Sequence, residues 1–202
     1  MIDFSYKREG EKISLTLKLD TTKIGTFYRL TAILYALGLD ILSGKIETIR
    51  DGDNTYSLDT LDVKSESTDA NQLAAQLAIL MDSVFSQNVS LEELLAKYRI
   101  TYPKISKFFQ EDVEFIFEDD KEKQMTCFYL EAGSGRGLLY HISRVLSENS
   151  INIVSGMIET DEVNGRAKDT FYLTDKNGKM FGGTQLAEEL HQKIVTYKEP
   201  SA

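Results

Sequence analysis

Apolar and polar positions alternate from the start of the chain. Residues 2–8, Ile-Asp-Phe-Ser-Tyr-Lys-Arg, repeat with a period of two, and Lys12-Ile13-Ser14-Leu15-Thr16-Leu17-Lys18-Leu19 does so more cleanly. That is the period of strands with one buried face, and Glu9-Gly10 supplies a tight turn between them, so the pattern predicts a β-hairpin. From Gly25 the period lengthens: Phe27, Leu30, Ile33, Leu34 and Leu37 share one helical face, with Gly38 as the stop. Thr21 or Thr22, in the polar loop 20–24, is a candidate cap. Residues 39–50 read as a strand with Ser43-Gly44 inside it, Asp51-Gly52-Asp53-Asn54 as a turn, and 55–63 as the next strand. After a polar linker over 64–69, where Asp69 is a candidate cap, Leu73, Leu77, Leu80, Met81 and Val84 mark a core-facing helix over 70–85. Ser90-Leu91-Glu92-Glu93 has the spacing of a capping box for a further short helix.

The series then recurs. Val113-Glu114-Phe115-Ile116-Phe117 matches residues 2–6, and the strand 124–131 matches 13–20, both at an offset of 111, with Leu17 on Phe128 and Leu19 on Leu130. Asp119-Asp120 reads as the turn between them. From Gly25 to Thr48 and from Gly137 to Thr160 the same Gly, Tyr, Leu, Ile, Ser-Gly and Ile-Glu-Thr recur without a gap over 24 residues, now at an offset of 112. One extra residue in the loop 132–136 accounts for the change. Asn164-Gly165 marks a turn, 169–173 a strand matching 59–63 after a two-residue deletion, and 184–195 a last helix.

A domain-sized period means two copies of one unit rather than a solenoid. Each copy is β-β-α-β-β-α, and two helices cover one face of a four-stranded antiparallel sheet. The expected class is α+β: two ferredoxin-like α/β sandwiches, over 1–100 and 113–202, joined by a connector over 101–112.

Composition adds exclusions. The hydrophobic share of 42% and charged share of 27% are ordinary for a globular protein. A net charge of -9 without a basic stripe argues against nucleic acid. Cys127 stands alone, so no internal disulfide can form and a reducing compartment is expected. No basic segment leads into an apolar run after Met1, and no apolar run approaches a membrane span, so a cytoplasmic, non-membrane protein is expected. His141 and His191 share no metal-ligand spacing with each other or with Cys127, and both are expected to face solvent on helices. No nucleophile–base pair is visible, so neither enzymatic activity nor a cofactor or metal is expected. The acidic runs 118–120 and 188–189 read as a solvated turn and a helix face.

Candidate chemistry concentrates at the loops before the duplicated helices. Gly133-Ser134-Gly135-Arg136-Gly137 lies between a strand and a helix, where free backbone N–H groups and partial positive charge suit a carboxylate or phosphate. The alternative is a glycine-eased turn with no ligand. Its counterpart, Thr22-Lys23-Ile24-Gly25, lacks the extra glycines. A dinucleotide loop is disfavoured, because the spacing is Gly-x-Gly-x-Gly and no alternating β-α series follows. Ser43-Gly44 and Ser155-Gly156 either line a groove between the domains or mark a bulge or close packing. Tyr28 and Tyr140 are expected to pack, with a hydroxyl at the rim.

These residues resemble the ACT domain, a small-molecule-sensing module of ferredoxin-like fold, and most of all the tandem pair at the C-terminus of bacterial uridylyltransferase/uridylyl-removing enzymes. Gly137-Leu138-Leu139-Tyr140-His141-Ile142 is similar to that family's helix start, residues 167–175 to its Asp-x-Phe-Tyr-Val-Thr-Asp strand end, and Lys107-Phe108-Phe109 with Val113-Glu114-Phe115 to the join between its domains. The resemblance implies a regulatory site for an amino acid or similar metabolite, in a stand-alone sensor without a catalytic portion. The family commonly carries Asp-Arg-Pro-Gly where this chain has Thr22-Lys23-Ile24-Gly25 and Ser134-Gly135-Arg136-Gly137. An Asp there would pair with an ammonium group, and Asp20 and Glu131 are the nearest substitutes. The candidate ligand residues are therefore Ser134, Gly135, Arg136, Gly137, Leu138 and Glu131 in the second copy, and Asp20, Thr22, Lys23 and Gly25 in the first. The expected partner is a small amino-acid-like molecule, with a protein partner or homodimer left open. The alternative is a ligand-free interaction module docking on a separate enzyme.

Overall fold

The computed structural model describes residues 2–19, 23–52, 54–65, 70–86, 89–110 and 112–196. The leading hairpin forms as the alternation requires: β1 (Ile2–Glu9) pairs with β2 (Lys12–Leu19), whose residues are exposed and buried in strict turn. Then follow α1 (Thr26–Ala36), β3 (Leu39–Asp51), β4 (Asn54–Ser65), α2 (Ala70–Phe85) and α3 (Leu91–Lys97). A 3₁₀ turn at Ile105–Lys107 leads into β5 (Glu114–Asp120), β6 (Met125–Gly133), α4 (Leu138–Glu148), β7 (Asn152–Asp161), β8 (Arg166–Thr174) and α5 (Gln185–Thr196). In each half the strands flanking the crossover helix, β2 and β3 or β6 and β7, are separated by β4 or β8. That is the split β-α-β of a ferredoxin-like unit.

The two four-stranded sheets do not stand apart. They join edge to edge through antiparallel pairing of β3 with β7, giving one eight-stranded sheet in the order β1-β2-β4-β3-β7-β8-β6-β5. The helices cover one face, and a single apolar cluster runs beneath them from Leu15, Leu17 and Leu61 to Phe128, Leu130 and Phe171. Phe108, 1% exposed, ties the connector into that cluster.

Several local expectations change. Thr21, Thr22 and Asp69 lie outside the described residues, and among the described residues no side chain caps α1: Gly25 occupies its N-cap at φ 87°, as Gly137 does for α4 at φ 99°. Both backbones are left-handed, a conformation only glycine adopts cheaply. Ser90 does cap α3, its Oγ accepting from the Glu93 N–H at 3.1 Å. Asp119 and Asp120 end β5 rather than forming the turn, which spans residues 121–124. Asp119 instead accepts from Thr126 Oγ1 at 2.8 Å and from the Gly182 N–H at 2.7 Å, holding the approach to α5 against the sheet.

The longer turn also alters the alignment of the copies. Leu17 pairs with Asp59, whereas Leu130, not Phe128, pairs with Asp169. The extra residues sit in the hairpin turn, and the loop before α4 is the shorter of the two rather than the longer. A shift of two along a strand keeps the same side chains facing the core, so the hydrophobic pattern could not register it.

Equivalent positions of the two units meet across the seam. Lys45 lies opposite Met157, the Tyr28 and Tyr140 rings stack at 5.8 Å, and the buried hydroxyls of Thr31 and Ser143 approach to 2.7 Å across 112 residues of chain. These pairs mark a pseudo-two-fold axis, as in an isologous dimer. Gly44 and Gly156 stand beside it, each just after a β-bulge. A Cβ on Gly44 would reach 2.5 Å from Leu61 Cδ2, and one on Gly156 2.6 Å from Phe171 Cδ1. Close packing beside a bulge describes both serine–glycine pairs, and Ser43-Gly44 also line an open groove shared with Met157, Ile158 and Glu159 of the other unit.

The Thr31–Ser143 pair predicts a measurable coupling. Thr31→Val and Ser143→Ala should each cost about 1 kcal/mol in chemical denaturation, and the double variant clearly less than their sum. Strict additivity would show that the hydroxyls do not couple the units.

Candidate functional site

The seam places each glycine N-cap against the far end of the other unit's helix. A Cβ at Gly25 would meet Ser147 Oγ at 2.9 Å, and one at Gly137 would meet Pro103 at 2.9 Å and the Tyr35 ring at 3.0 Å. Tyr35 and Ser147 are themselves equivalent positions. Two clefts result, one at each end of the helix pair. The first is lined by Ser134, Gly135, Gly137 to Tyr140, Thr160, Ala167 and Asp169, with Thr31, Tyr35, Leu39, Asp40 and Ile41 from the other unit. The second is lined by Lys23 and Gly25 to Tyr28, Thr48, Ser57 and Asp59, with Ser143, Ser147, Ile151, Asn152 and Ile153 opposite. The linings correspond almost position for position.

In the first, the Gly137 cleft, the helix end supplies a donor pole. The Leu138 N–H is given to the Gly135 carbonyl and that of His141 to the Gly137 carbonyl, which leaves Leu139 and Tyr140 as the other first-turn donors. Ser134 Oγ lies 3.3 Å from Thr160 Oγ1 at the wall. Tyr140 stacks on Tyr35 at 4.9 Å, and burial pushes the phenol pKa of Tyr28, Tyr35 and Tyr140 up. Arg136 is exposed at the rim, its guanidinium 5.8 Å over the Tyr35 ring. Asp40, on the opposite wall, has its pKa raised by burial against the pull of Lys107 and Arg136.

Opposite the helix lies an acidic pole that the sequence reading did not single out. Asp169 is 1% exposed on β8. Its Oδ1 accepts a long hydrogen bond of 3.4 Å from the Glu159 N–H, and its Oδ2 has no hydrogen-bond partner among the described residues. Burial pushes its pKa up to about 7, with the Glu159 carboxylate adding to the shift. In the Gly25 cleft the matching residue is Asp59, equally buried and raised to about 6. Ser57 donates to Asp59 Oδ1 at 2.5 Å, and its counterpart on β8 is Ala167, which has no hydroxyl. The legible signal was an aspartate among inward-facing strand positions: Asp59 sits between Ser57 and Leu61, and Asp169 between Ala167 and Phe171, all buried.

The remaining expected site residues are scattered. Ser134, Gly135, Gly137 and Leu138 line the Gly137 cleft, and Lys23 and Gly25 line the other. Asp20 and Thr22 lie outside the described residues. Glu131 projects from the opposite face of the sheet, where it meets Arg166 at 3.5 Å, Lys168 at 3.6 Å and the Tyr129 hydroxyl at 3.2 Å. Its alternation with buried Leu130 and Ala132 places it there, away from the loop it was expected to serve.

His141 does not face solvent. It is fully buried, with Nε2 2.6 Å from the Ile194 carbonyl and Nδ1 2.6 Å from the Tyr102 hydroxyl. Since a carbonyl only accepts, Nε2 carries the proton and Nδ1 receives the tyrosine's. Burial lowers the imidazole pKa to about 4. Its work is to bind α4 to the connector and to α5. His191 is exposed as expected, stacked on Phe115 at 4.6 Å. No cluster of metal-ligating side chains occurs among the described residues, and no helix among them is long and apolar enough to cross a membrane.

No protein-family model matches the chain. It is homologous to part of several bacterial bifunctional uridylyltransferase/uridylyl-removing enzymes. That of Azospirillum brasilense is 24% identical over 198 residues, covering 96% of this chain and 21% of the enzyme. That of Erythrobacter litoralis is 27% identical over 176 residues, 85% of this chain and 18% of the enzyme, and that of Methylococcus capsulatus 25% over 178 residues, 85% and 19%. The chain thus spans about a fifth of the length of these relatives. Aspartate kinase from Synechocystis aligns over 96% of this chain and 42% of its own at 12% identity, with a TM-score of 0.25, too low to bear on the fold.

The orphaned carboxyl gives a stability prediction. A buried acid raised to about 7 contributes stability below its ordinary pKa of 3.8 and loses it as pH climbs through 7. Asp169→Asn should therefore stabilise the ligand-free protein, by roughly 2–3 kcal/mol more at pH 8 than at pH 5 in urea unfolding. An increment independent of pH would show that Asp169 ionises freely in the fold.

Proposed function

We propose that this chain is a regulatory module that binds a small amino-acid-like molecule at the seam between its two ferredoxin-like units. One observation carries the reading: the Gly137 cleft sets helix N–H donors against a buried carboxyl, with walls contributed by both units. A zwitterion has the complementary poles, its carboxylate suiting the helix N-terminus and its ammonium group the acid. Hydroxyls from Ser134 and Thr160 and the ring of Tyr35 supply further contacts. The similarity to part of the uridylyltransferase/uridylyl-removing enzymes supports a regulatory role, since the tandem units resemble sensing domains.

Binding across the seam has a physical consequence. A ligand gripping both walls favours the arrangement in which they stand at that spacing, and the difference in affinity between arrangements is the signal it can transmit. As it stands the Gly137 cleft has room for little more than a water molecule, so a whole amino acid would enter by displacing the loop 134–137 or the Tyr35 ring.

A thermal-shift screen of the twenty common amino acids, with nucleotides as controls, tests the reading. At least one amino acid should raise the melting temperature by a few degrees at millimolar concentration, the shift growing with concentration. No shift with any of them would remove the sensor reading and leave an interaction module in its place.

A further inference from the structure

The two clefts share one plan and differ at their floors. Each holds a carboxyl 1% exposed on one of the two inner strands of its unit, Asp59 on β4 and Asp169 on β8. In the Gly25 cleft the residue two positions earlier on the same face is Ser57, whose hydroxyl closes on Asp59 at 2.5 Å. In the Gly137 cleft that position is Ala167, and Asp169 Oδ2 is left buried with no donor among the described residues. An unsatisfied buried acceptor is costly, and one kept in a fold answers to a functional role or to a group outside the chain, such as a water, an ion or a ligand.

Building on the proposed function, we infer that Asp169 receives the ammonium group of the ligand, so that the Gly137 cleft is the binding site and the Gly25 cleft, where Ser57 already donates to one oxygen of the carboxyl, is silent. Charge and hydrogen bonding both follow. An ammonium group brings three donors and a positive charge, and the Asp169 carboxyl offers an unused oxygen in a water-poor floor where such a pair is strong. A neutral hydroxyl in the same place satisfies the oxygen without the charge, so analogues with hydroxyl for amine bind more weakly. The assignment also supplies what the loop lacks. Ser134-Gly135-Arg136-Gly137 has no acid, and Glu131 faces away, so the contact comes from the neighbouring strand instead. Arg136 and the α4 N-terminus remain on the ligand's carboxylate side.

The serine and alanine can be exchanged, because each is already housed at the matching position of the other unit. Isothermal titration of the full chain with the twenty common amino acids, each beside the 2-hydroxy acid that differs from it only in having hydroxyl for amine, reads affinity and stoichiometry together. The expected result is one amino acid bound per chain, with its hydroxy acid at least tenfold weaker. Ala167→Ser and Asp169→Asn should each weaken amino-acid binding at least tenfold, and Ser57→Ala should raise the stoichiometry towards two. Equal binding of amino and hydroxy acids, untouched by Ala167→Ser, would overturn the role of Asp169 while leaving an amino-acid sensor. Two equal sites in the unaltered chain would overturn the silence of the Gly25 cleft. Absence of any binding would instead remove the sensor reading itself.

Discussion

The antiparallel pairing of β3 with β7 is the constraint from which the rest of the molecule follows. A ferredoxin-like sheet has two edges, and an unpaired edge is a template for association. Here the two inner edges satisfy each other, with Gly44 opposite Ile158 and Ile46 opposite Gly156. That register fixes where the helices above can lie. It brings Tyr28 onto Tyr140 and Thr31 onto Ser143, and so sets each helix start beside the other helix's end. The clefts are not carved into either unit. They are what remains where the start of one helix cannot fill the space at the end of its neighbour.

A site made in this way is coupled to the seam by construction. Its walls belong to different units, and the contacts between those walls include one buried hydroxyl pair and a stack of three tyrosines. A few kcal/mol is the scale of such contacts, and a millimolar-to-micromolar ligand binds with about 4 to 8 kcal/mol, so a preference for one arrangement worth only part of that can compete with the seam. The uncompensated oxygen of Asp169 fits that balance. Residues that cost stability when a site is empty accumulate where a ligand is to be received, and the fold bears them because the rest of the core, from Leu15 to Phe171, is conventionally apolar.

Much of the architecture was legible because both periods were clean. The strict alternation from Lys12 to Leu19 and the helical face from Phe27 to Leu37 specify their elements, and the repeat at an offset of 112 doubled each inference. What escaped was non-local. Nothing in the pattern distinguishes two separate sheets from one continuous sheet, since the pairing of β3 with β7 uses backbone groups that every sequence carries. The two-residue shift in the second hairpin escaped because it preserves facing. The site was half legible. The loop Ser134 to Gly137 announced itself by its glycines, but Tyr35 and Asp40 come to the same cleft from the other unit, and only folding brings them there. His141 was misplaced for a similar reason: a polar residue on a helix is solvated by default, and its partners, Tyr102 and Ile194, lie far along the chain.

Covalent duplication gives this architecture a freedom that an oligomer of single units lacks. A two-fold dimer of one unit must carry identical clefts, because every residue in one is present in the other. Here the copies have diverged at the positions that line them. Tyr35 answers to Ser147, Asp40 to Asn152, and Ser57 to Ala167, while the glycine N-caps, the buried aspartates and the seam itself are kept in both. The retained features are those on which the shared geometry depends: a left-handed turn into the helix, and a strand register that admits glycine beside a bulky neighbour. The altered ones change which groups stand in each cleft. Divergence confined to that layer separates two tasks that a symmetric dimer must perform together. One cleft can hold its carboxyl with a serine from its own strand, and the other can leave that position to alanine.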